Sequence, residues 1–282
     1  MNSVIRLTEG IDYEFIIIDN NSEPDIEKKI LKETPVGLIT KVKFLLLPVN
    51  IGFGRANNEG LKIAEGRNIL FLNPDILLKN KSIKILSDFL DSHPDAGACG
   101  GNLYSIESTP IFSFKRLLPG ILWESDELLN TIPQRLLFGK NRNHNHSHRP
   151  ISVKFISGAD LMVKKSVLDT IGGFDPNYFL YFEDTDLCRR ILKTGWHIYN
   201  VPAAKFCHLE SKSFQENRSP VLETKIRHQE KGRKIYYSKN LSPFSRMVSN
   251  IIYDWFLKSR ILLSRNPYKK QFYKIRRKYT KS

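Results

Sequence analysis

Residues 177–190 read Asn-Tyr-Phe-Leu-Tyr-Phe-Glu-Asp-Thr-Asp-Leu-Cys-Arg-Arg, a run of aromatic side chains followed by a dense acidic cluster. The apolar and basic residues that follow Glu183, Asp184 and Asp186 predict a helix that ends at Gly195. Acids at a helix start have a structural explanation, because they face the positive end of the helix dipole. The aromatic neighbours add a functional one, since a carboxylate that loses water can act as a base near neutral pH.

The composition is that of a large domain with room for an appendage. With 282 residues and 41% hydrophobic content, the chain can bury a full core. Its cysteines, Cys99, Cys188 and Cys207, show no paired spacing, which favours reduced thiols in a cytoplasmic protein. The sequence has no signal-peptide pattern, and no stretch reaches the roughly 18 uncharged apolar residues of a membrane span.

The net charge of +15 is concentrated at one end of the chain. Residues 225–282 hold 17 Lys and Arg against 2 acids, so the preceding residues are neutral overall. This asymmetry predicts a neutral body over 1–219 and a basic helical region over 220–282 that meets an anionic surface. Apolar residues over 249–263, followed by the basic run 269–281, are typical of an anionic membrane interface. The alternative is a solvated basic helix packed on the body.

Three apolar runs predict buried strands that end in polar residues. The first covers 13–18 and ends at Asp19, after which Asn21 or Ser22 would cap a helix over about 24–31. Because ligands of open α/β sheets bind beyond the carboxyl ends of strands, Asp19 lies where a ligand would sit. The alternative is that Asp19 is an ordinary turn residue.

The second run, 42–47, leads into Asn-Ile-Gly-Phe-Gly-Arg-Ala-Asn-Asn-Glu-Gly at 50–60. Gly52 and Gly54 stand before a predicted helix that extends to about residue 64. Two glycines there would let a phosphate approach the backbone, and a helix start favours the anion. The spacing matches neither the Walker pattern nor GxGxxG, so on its own it is a weak signal.

The third run, 68–72, is stopped by Pro74, which holds Asp75 at the carboxyl edge of the strand. A carboxylate beside a candidate phosphate loop is a plausible ligand for Mg²⁺ or Mn²⁺. His208 follows a later predicted strand and stands near Glu210, which makes it a candidate further metal ligand.

Over residues 109–150 the pattern of apolar and polar residues is less regular. Residues 117–138 predict a helical insertion or lid. The run 141–149 contains three alternating histidines, but its Asn, Ser and Arg neighbours favour a mobile polar loop over a metal site.

Taken in order, these motifs resemble family 2 glycosyltransferases of the GT-A fold, especially the bacterial rhamnosyltransferase-like branch. Any one motif is weak, whereas the ordered set over about residues 3–213 is specific. The segments that carry the resemblance are Ile18-Asp19-Asn20-Asn21-Ser22, Asn50-x-Gly52-Phe53-Gly54-x-Ala56-x-Asn58-x-Gly60, Leu72-Asn73-Pro74-Asp75, Ser157-Gly158-Ala159, Gly172-Gly173-Phe174-Asp175, Phe182-Glu183-Asp184-x-Asp186-Leu187 and His208.

The resemblance implies an α/β fold of the GT-A (Rossmann-like) type, with a mixed, mainly parallel sheet flanked by helices. Residues 1–104 would form the nucleotide-sugar-binding half, and 105–219 the acceptor and catalytic half. Asp75 and His208 would hold Mg²⁺ or Mn²⁺, although Asn73 replaces the first acid of the family's DxD motif. The implied donor-binding residues are Asp19, Asn21, Asn50, Gly52, Gly54, Asn58, Asn73, Asp75 and Gly158.

The implied chemistry is an inverting single displacement. Asp184 matches the family's catalytic base, with Glu183 beside it, and would remove a proton from an acceptor hydroxyl. The donor would be a dTDP- or UDP-sugar, with L-rhamnose the first choice. The acceptor would be a glycan or lipid-linked saccharide of cell-surface polysaccharide synthesis. Such an enzyme would work in the cytoplasm, peripheral to the inner face of the plasma membrane.

Other interpretations remain open. A transferase of galactosyl, glucosyl or N-acetylglucosaminyl groups would carry the same motifs. An inactive nucleotide-sugar-binding protein is a further possibility. The basic, Tyr-rich end could suggest nucleic-acid binding, but that leaves the first 224 residues unexplained, so no nucleic-acid partner is expected.

The predicted start of the sheet differs from the start of the sheet in the family. The family's sheet opens with a strand and a helix before the Asp-Asn-x-Ser strand. Here only residues 2–7 precede Gly10, enough for the end of that helix. The resemblance therefore predicts that the first strand is missing, with Met1 an internal methionine of a longer reading frame.

Overall fold

The computed structural model describes residues 1–22, 25–33, 41–209 and 220–281. Helices cover a central sheet, and long helices form the C-terminal region. The helices are α1 (Asn2–Leu7), α2 (Ile26–Glu33), α3 (Phe53–Leu61), α4 (Ser82–Ser92), α5 (Ile121–Leu128), α6 (Ile132–Phe138), α7 (Lys165–Ile171), α8 (Glu183–Lys193), α9 (Pro220–Asn240), α10 (Pro243–Leu263) and α11 (Pro267–Lys281). A 3-10 turn over Gly139–Arg142 follows α6. In the described part of the chain, no helix is long and apolar enough to cross a bilayer.

The strands form one large sheet and two small ones. They are β1 (Phe15–Asp19), β2 (Val42–Leu46), β3 (Asn68–Leu72), β4 (Ile76–Leu78), β5 (Ala96–Tyr104), β6 (Phe114–Lys115), β7 (Ile151–Val153), β8 (Phe155–Ile156), β9 (Asp160–Lys164) and β10 (His197–His208). The large sheet has the order β3-β9-β5-β10-β4, with β7 also paired to β10. β1 pairs with β2, and β6 pairs with β8. The three predicted apolar strands are confirmed as β1, β2 and β3.

Strand direction differs from the expectation of a mainly parallel sheet. Among the described strands, β1–β2 and β5–β10 are parallel and the other pairs are antiparallel. The chain leaves the sheet after β5 and returns as β9, antiparallel to both β3 and β5. A strand that is buried on both faces has a continuous apolar sequence whether it is parallel or antiparallel to its neighbours. The sequence pattern therefore could not show the direction of the strands.

Two apolar layers cover the two faces of the large sheet. The alternation along β9 shows this, because Leu161 and Val163 join the layer that includes α7 and α8 residues, whereas Met162 joins the layer beneath α4. The N-terminal helix α1 belongs to the second layer, where Val4 is buried and Ser3 Oγ accepts a hydrogen bond from Leu78 N at 3.2 Å. Among the described residues no strand joins β1–β2 to β3, and the missing first strand stays a prediction.

The C-terminal helices pack against the body and one another instead of extending from it. α10 packs on α5, and α11 packs on both α9 and α10. The buried Glu230 carboxylate joins these helices, because it lies 3.0 Å from Arg233 Nε and 2.7 Å from Arg276 Nε and accepts from Tyr253 Oη at 2.5 Å. Removing one member of such a buried network typically costs about 3–5 kcal/mol. The packing corrects the expectation of an appendage, and the boundary at 219/220 stays a prediction.

Helix α2 begins later than predicted, and helix α3 begins earlier. α2 begins at Ile26 instead of about residue 24, and Pro24 lies outside the described residues. α3 already begins at Phe53, so the second half of the glycine-containing motif is helix and not loop. The predicted helical insertion over 117–138 contains α5 and α6.

The histidine run 141–149 is not the mobile loop that its composition suggested. His144 is buried, and its Nδ1 lies 3.1 Å from Ile111 O. Asn145 is also buried, and its backbone carbonyl accepts a hydrogen bond from Asn102 Nδ2 at 2.8 Å. These contacts bind the run to the strand β5, so its polar side chains serve packing.

Candidate active site

Asp184 lies in the first turn of α8, directly against the 157–159 loop. Gly158 N donates to Asp184 Oδ2 at 3.0 Å, and Thr185 N donates to Oδ1 at 2.7 Å. A Cβ on Gly158 would lie only 3.3 Å from Asp184 Cβ, so a glycine there permits the close approach. Both carboxylate oxygens are therefore held in place by backbone donors.

The three acids of the cluster have different surroundings. Asp186 is ion-paired with Arg190, Nε to Oδ2 at 2.8 Å, which gives it a structural role. Burial raises the pKa of Asp184, and burial together with the nearby Asp184 charge raises the pKa of Glu183. Glu183 Oε2 has no hydrogen-bond partner in the described part of the chain. The Gly158 and Thr185 N–H groups stabilise the charged form of the Asp184 carboxylate, whereas Glu183 has no such set of donors.

An unusual turn presents Asp184, and α9 holds that turn. Tyr181 and Phe182 have φ values of 69° and 73°, in the left-handed region that residues with a Cβ rarely adopt. Gly232 of α9 packs on them so closely that a Cβ there would lie 2.4 Å from Tyr181 O. Phe182 also contacts the ring of Tyr236, at 5.8 Å between centroids. The basic region thus supports the acidic cluster.

The structure brings Asp75 and His208 together. His208 Nε2 lies 2.8 Å from Asp75 Oδ2, because β4 and β10 pair with Ile76 opposite His208. Asn73 N donates to Ala159 O at 3.1 Å, which ties this loop to the one that contacts Asp184. The loop that contacts the candidate base therefore adjoins the loop that carries Asp75.

The Asp75–His208 pair suits a divalent ion that is shared with a substrate. One carboxylate and one imidazole leave most coordination positions to other oxygens, as in sites where substrate phosphates complete the shell. No cluster of three His, Cys, Asp or Glu side chains that could hold a metal occurs within 1–22, 25–33, 41–209 and 220–281. Glu210, which the sequence placed near His208, lies outside these ranges. The residues present fit Mn²⁺ or Mg²⁺ together with a diphosphate.

A pair of asparagines braces the carboxyl ends of β1 and β2. Asn20 Nδ2 donates to Asn50 Oδ1 at 3.0 Å, and Ile51 N donates to Asn20 Oδ1 at 2.9 Å. Asp19 ends β1 at the same edge, and Asn21 follows it with a left-handed φ of 61°. The predicted donor residues Asp19, Asn21 and Asn50 are thus neighbours along one sheet edge.

Gly52, Gly54 and Asn58, which the resemblance implies as donor-binding residues, make close contacts within the protein. A Cβ on Gly52 would lie 2.4 Å from Phe179 O, and one on Gly54 would lie 2.9 Å from Phe174 Cβ. Asn58 donates to Phe174 O at 2.7 Å and accepts from Phe174 N at 2.8 Å, so both its polar atoms are used. These residues dock α3 against the segment that leads to α8, and their contacts with the donor stay a prediction.

The sequence interpretation missed three supporting residues. Asn20 and Thr185 stood inside recognised motifs, so their positions already carried a signal. Gly232 carried none, because it lies in a basic helical run far from the acidic cluster in sequence.

A family model described as glycosyl transferase family 2 matches residues 1–172, and the chain belongs to that family. The N-acetylglucosaminyl-diphospho-decaprenol L-rhamnosyltransferase of Mycobacterium tuberculosis is 26% identical over 235 residues, which cover 76% of this chain and 71% of that protein. Rhamnosyltransferase WbbL of Escherichia coli K12 is 28% identical over 179 residues, covering 58% of this chain and 64% of WbbL.

Solved structures share the fold. The mannosyltransferase PcManGT from Pyrobaculum calidifontis, in complex with GDP-Man and Mn²⁺, matches 99% of this chain and 77% of its own, with a TM-score of 0.57 at 13% identity. GalNAc-T7 with UDP, GalNAc and Mn²⁺ matches 98% of this chain and 51% of its own, with a TM-score of 0.56 at 15% identity. The chain is therefore a glycosyltransferase of GT-A fold that is similar to rhamnosyltransferases, which confirms the interpretation of the motifs.

Proposed function

We propose that the chain transfers L-rhamnose from a dTDP- or UDP-activated donor to a hydroxyl of a glycan or lipid-linked saccharide in cell-surface polysaccharide synthesis. The observation that carries the proposal is the chain of hydrogen bonds from Asp184 through the 157–159 loop to Asn73, beside the Asp75–His208 pair. It supports a base for the acceptor hydroxyl and a pair for the donor diphosphate that act in one reaction. Similarity to proteins named as rhamnosyltransferases supports the choice of sugar.

In this proposal Asp184 is the general base of an inverting displacement. Its carboxylate takes the proton of the acceptor hydroxyl while that oxygen bonds to the anomeric carbon, and the bond from that carbon to the diphosphate oxygen breaks on the opposite face. The Gly158 and Thr185 N–H groups keep the carboxylate oriented.

The donor would lie along the edge formed by Asp19, Asn21, Asn50 and Asn73. Asp75 and His208 would hold a divalent ion, which when bound supplies positive charge for the leaving diphosphate. Carboxylate and amide oxygens at the ends of β1 and β2 can accept hydrogen bonds from the nucleobase and the ribose of the donor. Gly52, Gly54 and Asn58 stay predicted donor-binding residues, and their internal contacts also dock α3.

A panel of nucleotide sugars tests the proposed reaction. Hydrolysis and transfer are measured with dTDP-rhamnose, UDP-galactose, UDP-glucose and UDP-N-acetylglucosamine. We expect the highest kcat/KM with dTDP-rhamnose. If the chain clearly prefers another donor, the sugar of that donor takes the place of rhamnose in the proposal. If it binds a donor tightly but turns over none of them, the chain is a nucleotide-sugar-binding protein.

Metal removal is expected to abolish transfer. EDTA should stop turnover and Mn²⁺ or Mg²⁺ should restore it, because the leaving diphosphate would otherwise carry its charge unneutralised. Asp75→Asn should lower the activity at limiting metal concentration. Asp169→Asn is the matched control, since Asp169 is an exposed carboxylate that pairs with Lys165 on α7. Full activity in EDTA, with Asp75→Asn as active as the control, would exclude a role for the ion.

We propose that the protein acts at the cytoplasmic face of an anionic membrane. One side of α10 exposes large apolar residues at helical spacing, here called the α10 outer stripe: Phe244, Met247, Ile251, Trp255 and Leu262. Such a stripe on a helix rich in basic neighbours supports interfacial binding. Phe256, which the sequence placed in this surface, is buried against Tyr253 instead.

The basic residues of α11 divide into two sets. Arg276 and Arg277 pair with Glu230 and Asp254 at 2.7 Å each, so they hold the helix to the body. Lys269, Lys270 and Lys274 lie outside these ion pairs and remain for anionic lipid. A deletion of residues 266–282 would therefore break buried contacts, and point substitutions are the sounder test of membrane binding.

A further inference from the structure

Phe179 is a partly exposed aromatic residue in the segment that leads to α8. Its neighbour Tyr178 is fully buried, whereas the Phe179 side chain is 38% exposed. The Phe179 ring stacks on the imidazole of His228 from α9, with 4.9 Å between the ring centroids and 22° between the ring planes. This stack covers one face of the Phe179 ring. The exposed part of the ring is therefore available to a second stacking partner.

The backbone and ring of Phe179 contact the start of α3 at the donor edge. Phe53 N donates to Phe179 O at 2.9 Å, and a Cβ on Gly52 would lie 3.0 Å from both Phe179 Cα and Phe179 Cδ2. Gly52 is in turn bonded to the asparagine pair, because its O accepts from Asn20 Nδ2 at 3.3 Å and its N donates to Asn50 Oδ1 at 3.0 Å. The Phe179 ring thus touches the peptide that joins the carboxyl ends of β1 and β2 to α3.

One face of α9 holds this ring and the turn before the candidate base. His228 and Gly232 are four residues apart, so they lie on the same side of the helix. His228 stacks on Phe179, and Gly232 packs on Tyr181 O. A ring that is already fixed by its own protein loses little conformational freedom when a ligand stacks on it. Phe179 is therefore a preorganised surface between the donor edge and Asp184.

The chemistry of this surface selects one part of the proposed donor. The diphosphate and the sugar hydroxyls are polar and gain little from an aromatic hydrocarbon ring. A nucleobase is flat and aromatic, and bases stack readily on phenylalanine rings. Asparagine side chains beside the ring suit the polar rim of the base. Thymine carries a 5-methyl group that uracil lacks, and a methyl group gains free energy when it is buried against an apolar surface.

We propose that Phe179, supported by His228, is the stacking wall for the nucleobase of the donor and makes the pocket prefer thymine to uracil. This inference rests on the proposed function for the presence of a nucleoside diphosphate. It assigns a specificity-determining residue outside the motifs that were expected to bind the donor, and it narrows the donor from a dTDP- or UDP-sugar to a dTDP-sugar.

Titration of the full chain with dTDP and dUDP tests the assignment without requiring transfer. The two nucleotides share the deoxyribose and the diphosphate, so they differ only in the 5-methyl group. Calorimetry with Mg²⁺ in excess gives both dissociation constants. We expect dTDP to bind about fourfold more tightly than dUDP, which is the value of one buried methyl group.

Phe179→Ser should weaken dTDP binding by about tenfold or more and bring the two affinities close together, because serine offers no ring for stacking. Phe179→Tyr should keep both the affinity and the preference, since tyrosine retains the aromatic face. Phe244→Ser is the matched control, because Phe244 is an exposed phenylalanine on the α10 outer stripe. The thermal midpoint of each variant shows whether a loss of binding comes from a loss of folding.

Three results would overturn the stacking wall: unchanged dTDP binding by folded Phe179→Ser, an equal loss in Phe244→Ser, or an unchanged ratio of the two affinities in Phe179→Ser. Equal affinity of the natural chain for dTDP and dUDP would overturn the preference for thymine. If the natural chain binds neither nucleotide, the proposed function itself fails and the assignment fails with it. Binding of both nucleotides together with one of the first three results would overturn the assignment alone.

Discussion

Glu183, Asp184 and Asp186 stand together in sequence, yet their contacts give each a different task. Arg190 neutralises Asp186, while Asp184 accepts hydrogen bonds from two backbone N–H groups. Glu183 is buried without such a set of donors, and its pKa is raised by burial and by Asp184. A carboxylate that is both partly desolvated and held by donors is suited to remove a proton. The acid that can act as a base is thus identified by its neighbours and not by its spacing.

At the same scale, buried Asp160 predicts a pH-dependent stability. Burial raises its pKa from 3.8 to about 8, although Gly101 N donates to Oδ2 at 2.7 Å. Because the folded-state pKa is the higher one, the stabilisation by the protonated form is complete below about pH 4 and is lost as the pH rises through about 8. Asp160→Asn removes this titration. We therefore compare how far the free energy of unfolding in urea falls between about pH 6 and about pH 9 in the two proteins. The fall should be about 2–3 kcal/mol smaller in the variant than in the natural chain. Parallel pH trends of the two proteins would show that Asp160 is already ionised in the folded state.

At the scale of elements, α9 positions the turn before α8. Tyr181 and Phe182 hold left-handed conformations that cost of order 1–3 kcal/mol each unless the surrounding structure imposes them. Gly232 and Tyr236 of α9 supply that packing. The basic helical region therefore holds the turn that precedes the candidate base, and its charge is a separate property of the same region.

Gly232→Ala should lower turnover without destabilising the helix. Alanine favours helix over glycine by about 1 kcal/mol, but its Cβ would lie 2.4 Å from Tyr181 O and would displace the turn. A shift of about 1 Å at a catalytic group can cost roughly 10²-fold in rate. The measurement is kcat together with the thermal midpoint, and Gly66→Ala is the control, since a Cβ there has its nearest neighbour at 3.4 Å. Unchanged kcat in Gly232→Ala would mean that α9 does not position the base.

At the scale of the whole molecule, the charge asymmetry and the α10 outer stripe belong to the same region. The stripe lies on the outward side of α10, while Tyr253 and Leu257 on the other side are buried. Exposed lysines of α11 and the stripe could contact the headgroups and the acyl boundary together.

Trp255→Ser is expected to weaken binding to anionic vesicles. Trp255 is 60% exposed, so its loss removes apolar area from the stripe and leaves the buried face of α10 intact. Flotation with vesicles of phosphatidylglycerol and phosphatidylcholine at low salt measures the bound fraction. Ile106→Ser, an exposed apolar residue in the loop after β5, serves as the control. No binding by the natural chain, or the same binding by both variants, would contradict the membrane proposal.

The sequence predicted the parts of this molecule that depend on local pattern. Apolar runs with polar ends gave β1, β2 and β3, and the ordered motifs gave the family and the neighbourhood of Asp75, His208 and Asp184. Contacts between distant segments could not be predicted in this way. The antiparallel entry of β9 and the packing of Gly232 on Tyr181 both depend on the path of the chain in space. The same holds for the Asn58 amide, which bonds to the backbone of Phe174 far away in the sequence.

The assignment of Asp184 as the base is tested most directly by the turnover and donor affinity of Asp184→Asn. Asparagine can still accept from Gly158 N but cannot take the proton of the acceptor, so transfer should fall roughly 10²–10⁴-fold while the donor Kd stays unchanged. Glu183→Gln is the matched control and should keep most of the activity, because Glu183 lacks the backbone donors that orient the Asp184 carboxylate. In the natural chain kcat/KM should fall as the pH falls through the raised pKa of Asp184. Transfer by Asp184→Asn at close to the natural rate would contradict the account, as would a larger loss in Glu183→Gln.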